Sequence, residues 1–176
     1  MNYMIIKRLD IANGPGCRVS LFVSGCPHHC KGCFNPESWS FTAGSLFTDA
    51  EKDLIIELLN DWKPYGFSVL GGEPLAPENI LTVKKLLQDI RTNVTTNAKN
   101  SIWVYTGYKI EEIMNRPDDE RDILNYIDVL VDGPFIEEHK DLKLQYCGSK
   151  NQRVINVKKI LEGSSDFEYD KYKGEF

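Results

Sequence analysis

The 176-residue sequence has no apolar run long enough to cross a bilayer, which takes about 20 residues. Its first residues, Met1-Asn2-Tyr3-Met4-Ile5-Ile6-Lys7, lack the charged-then-apolar layout of a secretion signal. A basic excess is missing too. The formal net charge is −5, which argues against a general binder of nucleic acid or of anionic membranes. Cysteine is scarce and unevenly placed: there are five, none falls between Cys33 and Cys147, and no second C-x2-C pair follows the first. That excludes a paired zinc framework and an inserted cysteine-rich cluster segment. We read a cytoplasmic protein whose thiols stay reduced, with no membrane and no nucleic-acid partner. Residues 1–176 are expected to fold as one domain without staples.

What is present is concentrated in Gly25–Asn35, GCPHHCKGCFN, where Cys26, Cys30 and Cys33 follow a C-x3-C-x2-C spacing. Three thiolates so close in sequence can converge on one metal centre, because a short loop closes at little entropic cost. The preceding run Val19-Ser20-Leu21-Phe22-Val23 reads as a buried strand that delivers this loop to the end of a sheet.

The remaining elements alternate. Tyr3–Leu9 reads as an edge strand, followed by a turn at Asn13-Gly14-Pro15-Gly16. Thr48 and Glu51 have capping-box spacing and open a helix that faces inward with Leu54, Ile55, Leu58, Leu59 and Trp62, up to Lys63-Pro64. A strand at Gly66–Leu70 ends in Gly71-Gly72-Glu73-Pro74. A second helix is expected from about Pro77 to Arg91, with Ile80, Leu81, Leu87 and Ile90 on its core face. Strands at Ser101–Tyr105 and Asp128–Val131 end in Thr106-Gly107-Tyr108 and Asp132-Gly133-Pro134, separated by a broken helical region at Ile110–Tyr126. A last short strand is expected at Val154–Val157. Residues from about 158 to 176 are charged, aromatic and aperiodic, and read as a tail that is flexible or ordered by a partner.

This order predicts an α/β fold of right-handed βαβ units, with a mostly parallel curved sheet and outer helices. A closed eight-fold barrel takes about 250 residues, so the expectation is an incomplete, partial TIM-type barrel. The cysteine loop and the GGEP, TGY and DGP motifs all follow strand C-termini, which places four motifs in one mouth.

Four-iron clusters are mostly held by four thiolates. Three leave an open coordination point, the mark of a catalytic centre. The bland alternative is a structural zinc site using the same cysteines with His28 or His29, although a histidine between Cys26 and Cys30 points poorly for joint tetrahedral ligation. A disulfide is the weaker alternative.

The three-cysteine loop after a first parallel strand, followed by a Gly-Gly-Glu strand end, resembles the radical S-adenosylmethionine enzymes. Within these, the chain is similar to the activating enzymes of anaerobic (class III) ribonucleoside-triphosphate reductases. The likeness rests on Asp10-Ile11 through Gly16, Leu21–Cys26, Cys30–Asn35, Gly71–Leu75, Ile102–Tyr108, Val129–Gly133, and Gly148-Ser149 with Asn151-Gln152-Arg153. It spans about residues 3 to 157. The superfamily commonly has an aromatic just before the third cysteine. Here Gly32 stands there and Phe34 follows Cys33, the order of the reductase-activating branch. Cys147 stands where the branch more often has arginine, and is read as a partly buried thiol.

The resemblance implies that Cys26, Cys30 and Cys33 hold three irons of a 4Fe–4S cluster, while the fourth iron chelates S-adenosylmethionine. Reductive cleavage would give a 5′-deoxyadenosyl radical that takes a hydrogen from a glycine Cα of the reductase. One electron would come from a donor such as a flavodoxin or ferredoxin system. Gly71 and Gly72 would admit the methionine moiety, and Glu73 its ammonium. Gly32, Cys33 and Phe34 would line the adenosyl side, and Thr106 and Asp132 would meet ribose or substrate, a turn or capping role being the alternative for these two. His28, His29 and Lys31 are expected to face solvent. Runner-up readings are a 7-carboxy-7-deazaguanine synthase, another glycyl-radical activase, or a non-catalytic metal-binding adaptor.

Overall fold

The computed structural model describes residues 1–169. In chain order the elements are β1 (Asn2–Asp10), β2 (Arg18–Val23), β3 (Ser45–Leu46), α1 (Asp49–Asp61), β4 (Gly66–Gly71), α2 (Pro77–Asn93), β5 (Ile102–Tyr105), α3 (Ile110–Met114), α4 (Asp118–Arg121), β6 (Val129–Asp132), β7 (Arg153–Asn156) and α5 (Val157–Leu161). Short 3-10 turns lie between them. The runs read as buried strands become the centre of one open seven-stranded sheet, ordered β3-β1-β2-β4-β5-β6-β7.

The expected sheet was mostly parallel. The four central strands are parallel, but β1, β3 and β7 join antiparallel. At one flank, the link from Asp10 to Arg18 is too short for a crossover, which needs a dozen residues or more. At the other, the chain after β6 stays at the mouth, so β7 returns downward beside it.

Side chains alternate across this sheet. Val19, Leu21, Val23, Val69, Ile102, Val104 and Leu130 face a helix layer led by Ile55, Leu59, Ile80, Leu87 and Ile90. Trp103, Val129, Val131 and Val154 form a second cluster on the other face. Arg18 is fully buried near the N-terminal ends of the strands. Its guanidinium donates to Ser68 Oγ at 2.7 Å, Ser101 Oγ at 3.0 Å, and the carbonyls of Phe67 at 2.8 Å and Ser101 at 2.6 Å. Burial pulls its pKa down to about 10, so it is charged at neutral pH. That end of the sheet is given to stability and the other to chemistry.

The capping box at α1 is present, the Thr48 side chain and the Glu51 side chain each capping the other's end of the first turn. On α2, Ile80, Val83, Leu87 and Ile90 are buried, whereas Leu81 is 53% exposed. One position off a 3.6-residue stripe turns a side chain by about 100°, which takes Leu81 to the outer face. The segment expected to be a tail is ordered over its described part. Asn156 N–H donates to Phe167 O at 2.8 Å and Tyr169 N–H to Val154 O at 2.9 Å, and Tyr169 is buried against the Trp103 ring. Residues 170–176 lie outside the described residues.

Candidate metal centre

The cysteine loop leaves the end of β2 and is pinned at its base. Gly25 N–H donates to Ser38 O at 2.7 Å and Cys26 N–H to Trp39 O at 3.0 Å. Gly25 has φ +88°, and a Cβ there would lie 2.0 Å from the Phe41 ring, so only glycine fits. Cys26, Cys30 and Cys33 are half-buried, none is in a disulfide, and all three line one cavity of about 500 Å³ with Gly71, Gly72 and Glu73. That volume suits a small ligand. A larger groove of about 1120 Å³ between α1 and α2 holds neither cysteine nor histidine.

Burial pushes the Cys26 thiol up to about 11, against the backbone N–H groups of His28 and His29, and also raises Cys30. Binding to a metal must therefore displace protons from these sulfurs, which thiolate ligation does readily. The donor set fits an iron–sulfur cluster better than a zinc ion. Three free thiols line one cavity, and a cluster takes one thiolate on each of several irons. Neither histidine is placed to complete a zinc site: His28 Nε2 bonds Glu73 Oε2 at 2.9 Å, and His29 lies exposed with its ring stacked on Trp39.

At the Gly71-Gly72 strand end the protein's own backbone already requires glycine. A Cβ on Gly72 would lie 2.6 Å from Gly25 O, and one on Gly71 would lie 2.8 Å from Val23 O. Protein backbone occupies that space. Gly72 N–H donates to Val23 O at 2.8 Å and Glu73 N–H to Gly25 O at 2.7 Å, so the ends of β2 and β4 are locked together.

Glu73 is 1% exposed and accepts four hydrogen bonds. Leu75 N–H at 2.9 Å and Thr106 Oγ1 at 2.7 Å donate to Oε1, and Gly107 N–H at 2.7 Å and His28 Nε2 at 2.9 Å donate to Oε2. Thr106 lines the cavity, but its hydroxyl is occupied by Glu73 and by Tyr108 N–H. Asp132 is not part of the cavity lining. It is 1% exposed, accepts from Arg153 Nε at 2.9 Å and Nη2 at 2.5 Å, and accepts Ile110 N–H at the start of α3. Its parity matches Leu130, so the pleat turns it to the helix side. The capping role is the one the structure gives it.

Phe34 lines the cavity and is 55% exposed, its ring edge-on to Phe135. Gly32 has φ +73°, and the Glu137 side chain fills the direction its Cβ would take. Cys147 lines the cavity as a half-buried thiol. Two residues were missed in the sequence. His28, expected in solvent, is 19% exposed and held by Glu73. Tyr105 lines the cavity, and its buried hydroxyl has no hydrogen-bond partner among the described residues. The period-2 alternation that puts Trp103 inward was the available signal for Tyr105.

Comparison with known proteins agrees with this chemistry. The model of the 4Fe-4S single cluster domain family matches residues 12–155. The anaerobic ribonucleoside-triphosphate reductase-activating protein of Haemophilus influenzae is 44% identical over 160 residues, covering 90% of this chain and 99% of that protein. The Escherichia coli K12 protein of the same name is 43% identical over 160 residues, covering 90% and 100%. The one from phage T4 is 38% identical over 155 residues, covering 88% and 93%. No helix of the described residues is long and apolar enough to cross a membrane. The chain thus belongs to the family of anaerobic ribonucleoside-triphosphate reductase-activating proteins, with a 4Fe-4S single cluster domain.

Proposed function

We propose that the chain activates an anaerobic ribonucleoside-triphosphate reductase as a radical S-adenosylmethionine enzyme, on an incomplete TIM-type barrel. The relatives' names supply the partner, and the cluster domain supplies the redox centre. Cys26, Cys30 and Cys33 would hold the cluster, beside the seat of S-adenosylmethionine. When bound, cluster and cofactor would supply the one-electron reductive cleavage of S-adenosylmethionine and the radical chemistry that removes a hydrogen from a glycine Cα of the reductase. The electron comes from a small one-electron donor such as a flavodoxin or ferredoxin. The chain's own part is placement and shielding. The backbone at Gly71-Gly72 borders the seat of the methionine moiety. Gly32, Cys33 and Phe34 flank the adenosyl side, with the Phe34 and Phe135 rings excluding water.

The observation that carries this reading is the sharing of one cavity by three unpaired thiols and the Gly71-Gly72 strand end. Anaerobically reconstituted protein is expected to bind iron and sulfide and, once reduced, to release methionine and 5′-deoxyadenosine. Cys30→Ala is expected to lose both cluster and cleavage. Colourless, zinc-loaded protein without cleavage would sink the proposal in favour of a metal-binding adaptor.

A further inference from the structure

Glu73 is surrounded by donors from three strand ends. Each carboxylate oxygen has two lone-pair positions, and all four are filled from within the protein. A ligand ammonium reaching this side chain has to displace one of these donors, and the Leu75 N–H or the Thr106 hydroxyl, both buried, would then be left unpaired. One of the four donors, His28, comes from the cysteine loop itself, midway between Cys26 and Cys30. A carboxylate partner selects the tautomer with the proton on Nε2.

Two further contacts fix the His28 ring. It meets the Tyr108 ring edge-on at 4.5 Å between centroids. Tyr108 is held from another side by the Arg116 guanidinium, 4.3 Å from its centroid. A Cβ on Gly107 would lie 2.5 Å from His28 Cδ2, so residue 107 has to be glycine for the ring to sit where it does. The loop after β2, the end of β4 and the end of β5 are joined through one imidazole and one carboxylate.

We propose that Glu73 and His28 form a positioning pair that sets the cluster loop against the ends of β4 and β5, and that the Glu73 side chain is not the receptor of the cofactor ammonium. This rests on the reading of the cavity as a cluster and S-adenosylmethionine site, but it concerns the chain before cofactor binds. The two roles separate in the cofactor-free protein. A receptor carboxylate acts only on the bound cofactor, whereas a positioning pair acts on the cluster in its absence.

The test compares wild type, His28→Ala, His28→Gln, Glu73→Gln and Gly107→Ala as reconstituted full-length proteins. Two quantities are read: the EPR g-values and midpoint potential of the reduced cluster without S-adenosylmethionine, and the dissociation constant for S-adenosylmethionine. Glu73→Gln, His28→Ala and Gly107→Ala are expected to shift the cofactor-free spectrum and potential in the same sense. His28→Gln, which keeps an N–H donor, restores them toward wild type, and a Glu73→Gln/His28→Ala double variant shifts them no further than either single one. Gly107→Ala displaces the ring while leaving both side chains of the pair chemically unchanged, so it carries the test if His28→Ala fails to hold a cluster. The proposal is overturned if Glu73→Gln leaves the cofactor-free spectrum at wild type and weakens S-adenosylmethionine binding by roughly tenfold or more, the loss of a charge-assisted hydrogen bond. Wild type that holds no cluster contradicts the functional reading instead, so the two failures are distinct.

Discussion

At the scale of single residues, the mouth is set by close backbone approaches. Gly72 is the sharpest case, because its missing Cβ would lie 2.6 Å from a carbonyl oxygen that cannot move without dragging the cysteine loop. Gly72→Ala is expected to destabilise the protein by about 1–3 kcal/mol, as overpacking does, and to lower iron incorporation. Urea unfolding and iron analysis check this, and wild-type values for both would refute the packing account. The glycine pair and the three cysteines were legible in the sequence because their residue types allow few other uses. His28 was not. A lone histidine in a polar loop has no periodicity, and its partner Glu73 lies 45 residues away. For Asp132 a strand-end position leaves a site role and a capping role both open, and only the pleat and the Ile110 N–H contact point to capping.

At the scale of elements, period and cap carried most of the information. The Thr48–Glu51 box and the buried Ile55, Leu58 and Leu59 of α1 follow from local rules, whereas Trp62, also expected inward, is 36% exposed. On α2, Ile80, Leu87 and Ile90 lie on the buried stripe as expected, and Leu81 falls one position off it. Leu87→Ala, at a fully buried position, is expected to cost about 2–5 kcal/mol. Leu81→Ala is expected to stay within about 0.5 kcal/mol, as exposed substitutions do, and equal losses at the two sites would reverse the assignment of faces. A second element-level device ties α3 to β7. Arg153 donates to Glu111 at 2.9 and 2.8 Å and also holds Asp132. The hydrogen bond from Arg153 lowers the Glu111 carboxyl from 4.5 to about 2. A carboxyl held lower in the folded state adds stability above its ordinary value and loses it as pH falls from about 4.5 to about 2. The pair is partly exposed, so the effect is at most about 1 kcal/mol. Unfolding of wild type and Glu111→Gln across that window is expected to show the difference between them shrinking at low pH. A constant difference would contradict the assignment.

At the scale of the molecule, alternating strand and helix signals were enough to bring the chemistry to one end of a sheet. The antiparallel flanks and the docking of Phe167–Tyr169 were not visible. Both depend on long-range contacts, β7 on β6 and Tyr169 on Trp103, that leave no local pattern. The sheet is open at both ends of its strand order, which suits a protein loop carrying glycine better than an enclosed small substrate. A short glycine peptide is therefore expected to react poorly beside the intact reductase. The most direct measurement mixes the reduced, cluster-loaded protein with an anaerobic reductase and S-adenosylmethionine and records the EPR spectrum of the reductase. A glycyl-radical doublet that forms with wild type and is absent with Cys30→Ala is the predicted result. A doublet of equal intensity with Cys30→Ala, or none with wild type that cleaves S-adenosylmethionine, would contradict the account.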